Sequence, residues 1–163
     1  MFSFFSCVSS AKNLIFLIGR GASNDDEKEA QRQIEGFFRR LGEKIVFEDG
    51  ECRVKARVGE AVLGFEHDAA DGVLSVQALV YRFRRPPRDE LLDAAFAEDE
   101  RFGGGGRVVY DSESLTLYLQ RDFAAVDDER IFDAEINRLA RASLEWNATI
   151  LARLSEKIAA GKN

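Results

Sequence analysis

The chain has 163 residues, enough for one domain with a substantial core. Its 29 acidic and 23 basic residues give a formal charge of −6 and a pI near 5.0, which argues against a general nucleic-acid binder because phosphate binding needs a basic surface. One histidine, His67, and two cysteines, Cys7 and Cys52, nearly exclude chemistry that needs several imidazoles; they supply no disulfide framework and point to a reducing cytoplasm.

Residues 1–24 are unlike the rest. Met1–Phe5 and Leu14–Ile18 are two short apolar clusters, split by serines and Lys12. The second is too short to cross a bilayer. The basic residue lies inside the run rather than ahead of it, so the stretch does not read as a secretory signal. It reads as a disordered tail or an extra helix, set apart from a single domain over 25–160.

Asn24 and Asp25 can cap a helix, and Asp25, Asp26 and Glu27 suit the positive end of its dipole. Ile34, Phe37, Phe38 and Leu41 follow at helical spacing, and Gly42 stops the run. Neighbouring residues on a helix point about 100° apart. One of the two phenylalanines is therefore expected at the edge of the core, lining a groove. Gly36 beside them would let a partner backbone come close. The competing expectation is that the whole stripe is core, or that the first 24 residues cover the groove.

From Lys44 to Phe83 the apolar period becomes two, broken at Asp49-Gly50, Gly59-Glu60 and Asp71-Gly72. Strands are predicted at 51–58, 61–67 and 73–83, with a short lead-in at 44–48. The last strand has apolar residues on both faces, with Leu74, Val76, Ala78 and Val80 on one and Val73, Leu79, Tyr81 and Phe83 on the other. Such a strand belongs in the middle of a sheet. Pro86-Pro87 is predicted to open a second helix, with Leu91, Leu92, Ala95 and Phe96 as its stripe and an end near Arg101. Gly103–Gly106 is a loop. Val108–Tyr110 and Leu115–Gln120 form a hairpin, and the alternation of Leu115, Leu117 and Leu119 implies one buried face. Asp127 or Asp128 caps a last helix reaching about Ala160, in which Phe132, Ile136, Leu139, Ser143, Trp146, Ile150 and Leu154 recur at steps of three and four. The order is α-β-β-β-α-β-β-α.

No catalytic constellation emerges. The four glycines lack the Lys-Ser/Thr pair and following helix of a phosphate loop, so they read as a sharp turn. Glu66, His67 and Asp68 alternate across a strand and do not converge, and no second imidazole or cysteine pair offers metal-ligand spacing. No serine lies in a Gly-x-Ser-x-Gly turn. The chain therefore reads as a non-enzymatic protein without metal or cofactor. Arg82, Arg84, Arg85 and Arg88 are interleaved with aromatics, but six acids between Asp89 and Glu100 follow them. An ion network within or between chains is expected rather than a nucleic-acid patch.

One stretch carries a family resemblance. It comprises the Leu91-Leu92-Asp93-Ala94-Ala95 helix, Phe102-Gly103-Gly104-Gly105-Gly106, Val108-Val109-Tyr110-Asp111, Leu115-Thr116-Leu117-Tyr118-Leu119-Gln120-Arg121, and a last helix with Ala142 and Trp146. These residues resemble the CesT (Tir chaperone) family of type III secretion chaperones. A departure is the Ala-Phe-Ala-Glu-Asp run where that family usually has an Asn. The YbjN-like family is similar to the same degree and shares the fold. The resemblance implies an α+β fold with one antiparallel sheet of about five strands covered by helices, and Trp146 buried. It also implies a cytoplasmic, ATP-independent homodimer that holds one partner polypeptide in extended form, the identity of that client being open. On the alternative, the chain is a YbjN-like regulatory or structural protein without a secretion client. The resemblance puts Leu91, Leu92, Ala95 and Phe96 at the dimer interface. Partner binding is expected at Ile34, Phe37 and Phe38 with Val62 and Phe65, and neither nucleic acid nor membrane is expected as a partner.

Overall fold

The computed structural model describes residues 24–47, 52–124 and 128–161. Its elements run α1 (Asn24–Arg40), β1 (Arg53–Val58), β2 (Ala61–Asp68), β3 (Val73–Arg82), α2 (Asp89–Ala97), α3 (Asp99–Phe102), β4 (Arg107–Asp111), β5 (Thr116–Phe123), α4 (Glu129–Glu145), a π-helical turn (Trp146–Ile150) and α5 (Leu151–Ala160). The strands make one antiparallel sheet in the order β1-β2-β3-β5-β4. The fold is α+β, and β3 takes the central place that its two apolar faces demand. Residues 43–47 form no strand, so the expected lead-in is absent over that stretch.

Turn chemistry sets the hairpins. Gly59 takes φ +60° in the two-residue loop between Val58 and Ala61, a geometry that matches strand twist and needs glycine first. Between β2 and β3 the Asp68 carboxylate accepts from the Ala70 N–H at 2.8 Å. At the β4–β5 turn the Asp111 carboxylate accepts from the Glu113 N–H at 3.0 Å and from the Ser114 hydroxyl at 2.6 Å.

The core lies on one face of the sheet. Leu63, Phe65, Val76, Ala78, Leu117 and Leu119 point to it, and α4 packs across β2, β3 and β5 there. Asp128 caps α4 by accepting from the Arg130 N–H. The predicted stripe from Phe132 to Leu154 is buried along its whole length. Trp146 is among its members, and its indole N–H donates to the Phe102 carbonyl at 3.0 Å. The π-helical turn sits at this point. The Thr149 hydroxyl donates to the Glu145 carbonyl at 2.9 Å and so competes for an acceptor that a regular helix would use internally.

Four local expectations change. Pro86 and Pro87 stand before the second helix, whose N-cap is Arg88 in extended conformation. That helix ends at Ala97, and a separate short turn, α3, replaces its predicted last part. A register shift between Leu79 and Tyr81 places Tyr81 opposite Leu117, so Tyr81 and Phe83 leave the face that Leu79 occupies. The Asn147 side chain donates to the carbonyl of Val80, the residue at the shift, at 2.8 Å. Finally, β5 is buried on both faces, because Thr116, Tyr118 and Gln120 are as enclosed as the leucines between them.

Candidate interaction surfaces

Helix α1 lies in the angle between α4 and the sheet, and both phenylalanines of the expected groove are enclosed in this chain. Phe37 meets Phe132 of α4 edge to face at 6.2 Å between centroids, and Phe38 meets Phe65 of β2 at 5.5 Å. Phe37 is 1% exposed and Phe38 0%. Two side chains about 100° apart are both buried because the core reaches this helix from two directions. Ile34 and Phe65 are enclosed with them, and only Val62 of the five expected partner residues is half-exposed. The Arg40 guanidinium closes the outer seam with a bidentate pair to Asp133, both contacts at 2.6 Å, and a third contact to Glu129 at 3.0 Å. Its hydrogen bond to Asp133 raises the Arg40 pKa. The Schellman bonds from Gly42 to Arg39 and from Glu43 to Phe38 end the helix.

Helix α2 packs on α5 and on β4. Ala95 is fully buried there, which removes it from any interface, and Leu91 and Leu92 are half-buried against the core. Phe96, 42% exposed, is the member of the expected set that a second molecule can reach. Just before this helix, Arg84, Arg85 and Arg88 are exposed and make no ion pair among the described residues. These three arginines of the expected network therefore have no ion-pair partner among the described residues. Tyr81, Phe83 and Tyr110 form an edge-to-face aromatic row near the end of the sheet, with centroid spacings of 5.0 and 6.2 Å. Sequence periodicity alone hid this row, since it depends on the shift at Val80.

The four-glycine loop is wedged between α4 and β5. A Cβ on Gly104 would lie 2.6 Å from that of Ala142, and one on Gly106 would lie 2.6 Å from a methyl of Leu139. The Arg121 guanidinium reaches the Gly105 carbonyl at 3.3 Å and pairs with Glu135. Beside the loop is an open recess of about 600 Å³, lined by Asp99, Glu100, Arg107, Arg121, Asp122 and Arg138. Its charges largely neutralise one another. Burial alone would raise the Asp122 pKa, but hydrogen bonds from Ser75, Gln120 and Arg107 outweigh it and hold the carboxylate below its usual range. His67 stands near the end of β2, no ion pair joins its ring to an acid among the described residues, and Glu66 is paired with Arg53 instead. Burial pushes the Cys52 thiol up to about 11, so it is a poor nucleophile at neutral pH. Among the described residues no group of three His, Cys, Asp or Glu side chains has metal-binding geometry, and no helix is long and apolar enough to cross a membrane.

This arrangement has clear structural parallels. The chain has the fold of the type III secretion chaperones. It is similar to a chain of the ExsC–ExsE complex with a TM-score of 0.63 at 16% identity, over 76% of this chain and 94% of that one. It is similar to a chain of the HopA1–SchA chaperone–effector complex with a TM-score of 0.60 at 16% identity, over 77% and 98%. A third similarity is to a chain of the heterodimeric ExoU–SpcU complex from the type III secretion system of Pseudomonas aeruginosa, with a TM-score of 0.51 at 13% identity, over 70% and 94%. No protein-family model matches the sequence, and no curated protein is significantly similar to it. At these identities the likeness is one of fold, and the fold agrees with the order of elements from α1 to α5.

Proposed function

We propose that this protein is a non-enzymatic, ATP-independent binding module that holds a partner polypeptide in extended form, in the manner of the type III secretion chaperones. The carrying observation is the shared fold, which extends over 94% and 98% of the two chains most similar by TM-score among those above. The working unit in this proposal is a cytoplasmic homodimer. Phe96, flanked by Leu91 and Leu92, supplies its apolar contact. Arg84, Arg85 and Arg88 meet Asp89 and Asp93 of the second copy across a two-fold axis, since an isologous contact lets adjacent opposite charges satisfy each other.

The test begins with capture of partners on the immobilised full chain from cells that express it. The captured complex is then subjected to limited proteolysis and hydrogen exchange. The proposal expects one polypeptide whose bound segment exchanges fast when free and is protected without gaining a globular core. A partner that binds only as an intact folded domain, or nucleotide-dependent release, refutes it.

A further inference from the structure

Three irregular features meet at one end of the sheet. The first is the register shift in β3. Leu79 stands opposite Tyr118 and Tyr81 opposite Leu117, so Val80 is an extra residue with no β5 partner of its own. The second is the π-helical turn Trp146–Ile150, which packs on β3 and donates from the Asn147 side-chain amide to the Val80 carbonyl at 2.8 Å. The third is Leu115, which among the described residues is the non-glycine with positive φ, at +54°. A leucine is unfavourable in this left-handed region because its Cβ crowds the following carbonyl. The Leu115 carbonyl accepts from the Phe83 N–H at 2.8 Å, just beyond the shift.

Each feature is unfavourable by itself, and such features persist where the surrounding structure over-determines them. The unshifted alternative is written in the same sequence. Continuing from the pairing of Leu79 with Tyr118, it would set Val80 opposite Leu117 and Tyr81 opposite Thr116. It would also keep Tyr81 and Phe83 on the face of Leu79, as strict alternation predicts. In the shifted register they instead join Tyr110 in the aromatic row, with Tyr81 43% exposed and Arg84 and Arg85 following in solvent. Asn147 bonds the backbone of the extra residue itself, and it does so from an element outside the strand pair. We propose that Asn147 is a latch whose bond to Val80 holds the end of β3 in the shifted register and so presents Tyr81 and the arginines after it at the surface. The π-helical turn and the β-bulge are then one coupled device with two settings. A molecule that touches Tyr81 in only one register biases the latch, because a ligand shifts an equilibrium by its differential affinity for the two states.

Native-state hydrogen exchange and cross-strand NOEs on the full-length chain test this. The Phe83 amide reports the shifted end, and the Ala78 amide, in the centre of the sheet, reports global opening. Asn147→Asp keeps the size of the side chain and replaces its donor by a carboxylate. In this variant the Phe83 amide is expected to exchange about tenfold or more faster, against less than about threefold at Ala78. The cross-strand NOE between Tyr81 and Leu117 is expected to be lost. Because the variant can fail to fold, the wild type supplies a second measurement. Its Asn147 side-chain amide and its Phe83 amide are expected to open together, with protection within about threefold and the same urea dependence, and more readily than Ala78. Retention of the Tyr81–Leu117 NOE in Asn147→Asp overturns the proposal. So does an equal rise at Phe83 and Ala78, which makes Asn147 a general contributor to stability, and so does separate opening of the two groups in the wild type.

Discussion

At the scale of single residues, two glycines with the same backbone sign carry different loads. Gly59 and Gly104 both have positive φ, at +60° and +61°. A Cβ at Gly59 meets nothing within 4 Å, whereas at Gly104 it meets the Ala142 side chain and, at 2.8 Å, the Arg138 carbonyl. Gly59→Ala is expected to cost about 1 kcal/mol for the left-handed conformation alone. Gly104→Ala adds a clash with helix backbone and is expected to cost about 3 kcal/mol or more in urea unfolding. Asp122 gives the corresponding electrostatic prediction. Its folded pKa is depressed, so its contribution is present above the unfolded value near 4 and is lost as pH falls through the folded value. Asp122→Asn should therefore lower stability at neutral pH and flatten the decline measured below about pH 4. Equal acid slopes in both proteins would contradict this.

At the scale of elements, α1 is held by position rather than by its own propensity. Its two rings are shared between α4 and β2, and Arg40 clips its last turn to Asp133 and Glu129. Phe37→Ser and Phe38→Ser should each destabilise the fold by about 3–5 kcal/mol, because each ring is enclosed. Thermal melts decide between this and a surface groove, for which one of the two variants would melt like wild type. The clip itself is weaker. Arg40 is 37% exposed on its side chain, and screening limits such a pair to about 1 kcal/mol. The last helix shows the same division of labour. Its stripe buries Trp146 and Ile150, while the π-helical turn aims Asn147 at Val80.

At the scale of the whole molecule, one face of the sheet carries the core and α2 presents Phe96 to solvent beside three exposed arginines. If the proposed homodimer forms, Phe96→Asp is expected to convert it to monomer in light scattering at micromolar concentration while leaving the melt unchanged. Raising salt from about 0.05 to 0.5 M should weaken the proposed dimer, because the arginine–carboxylate contacts assigned to it there would lie at a screened rim. A wild type that is monomeric throughout, or a dimer indifferent to both changes, would remove α2 from the interface.

Much of this architecture is local in origin. Helical spacing in Phe132–Leu154, alternation in Val73–Val80 and the turn at Gly59 specify element type and the central place of β3, because each depends on neighbours within a few residues. Burial of Trp146 followed from the same spacing together with the family resemblance. What the chain alone does not reveal is which direction a helix meets the core from. Phe37 and Phe38 are both interior only because α4 and β2 approach α1 from two sides, contacts made across more than 25 residues of sequence. Likewise Ala95 reads as interface on a helical stripe, and only the packing of α2 on α5 and β4 makes it core. The shift at Val80 turns Tyr81 and Phe83 to the other face, since a single extra residue inverts a period of two.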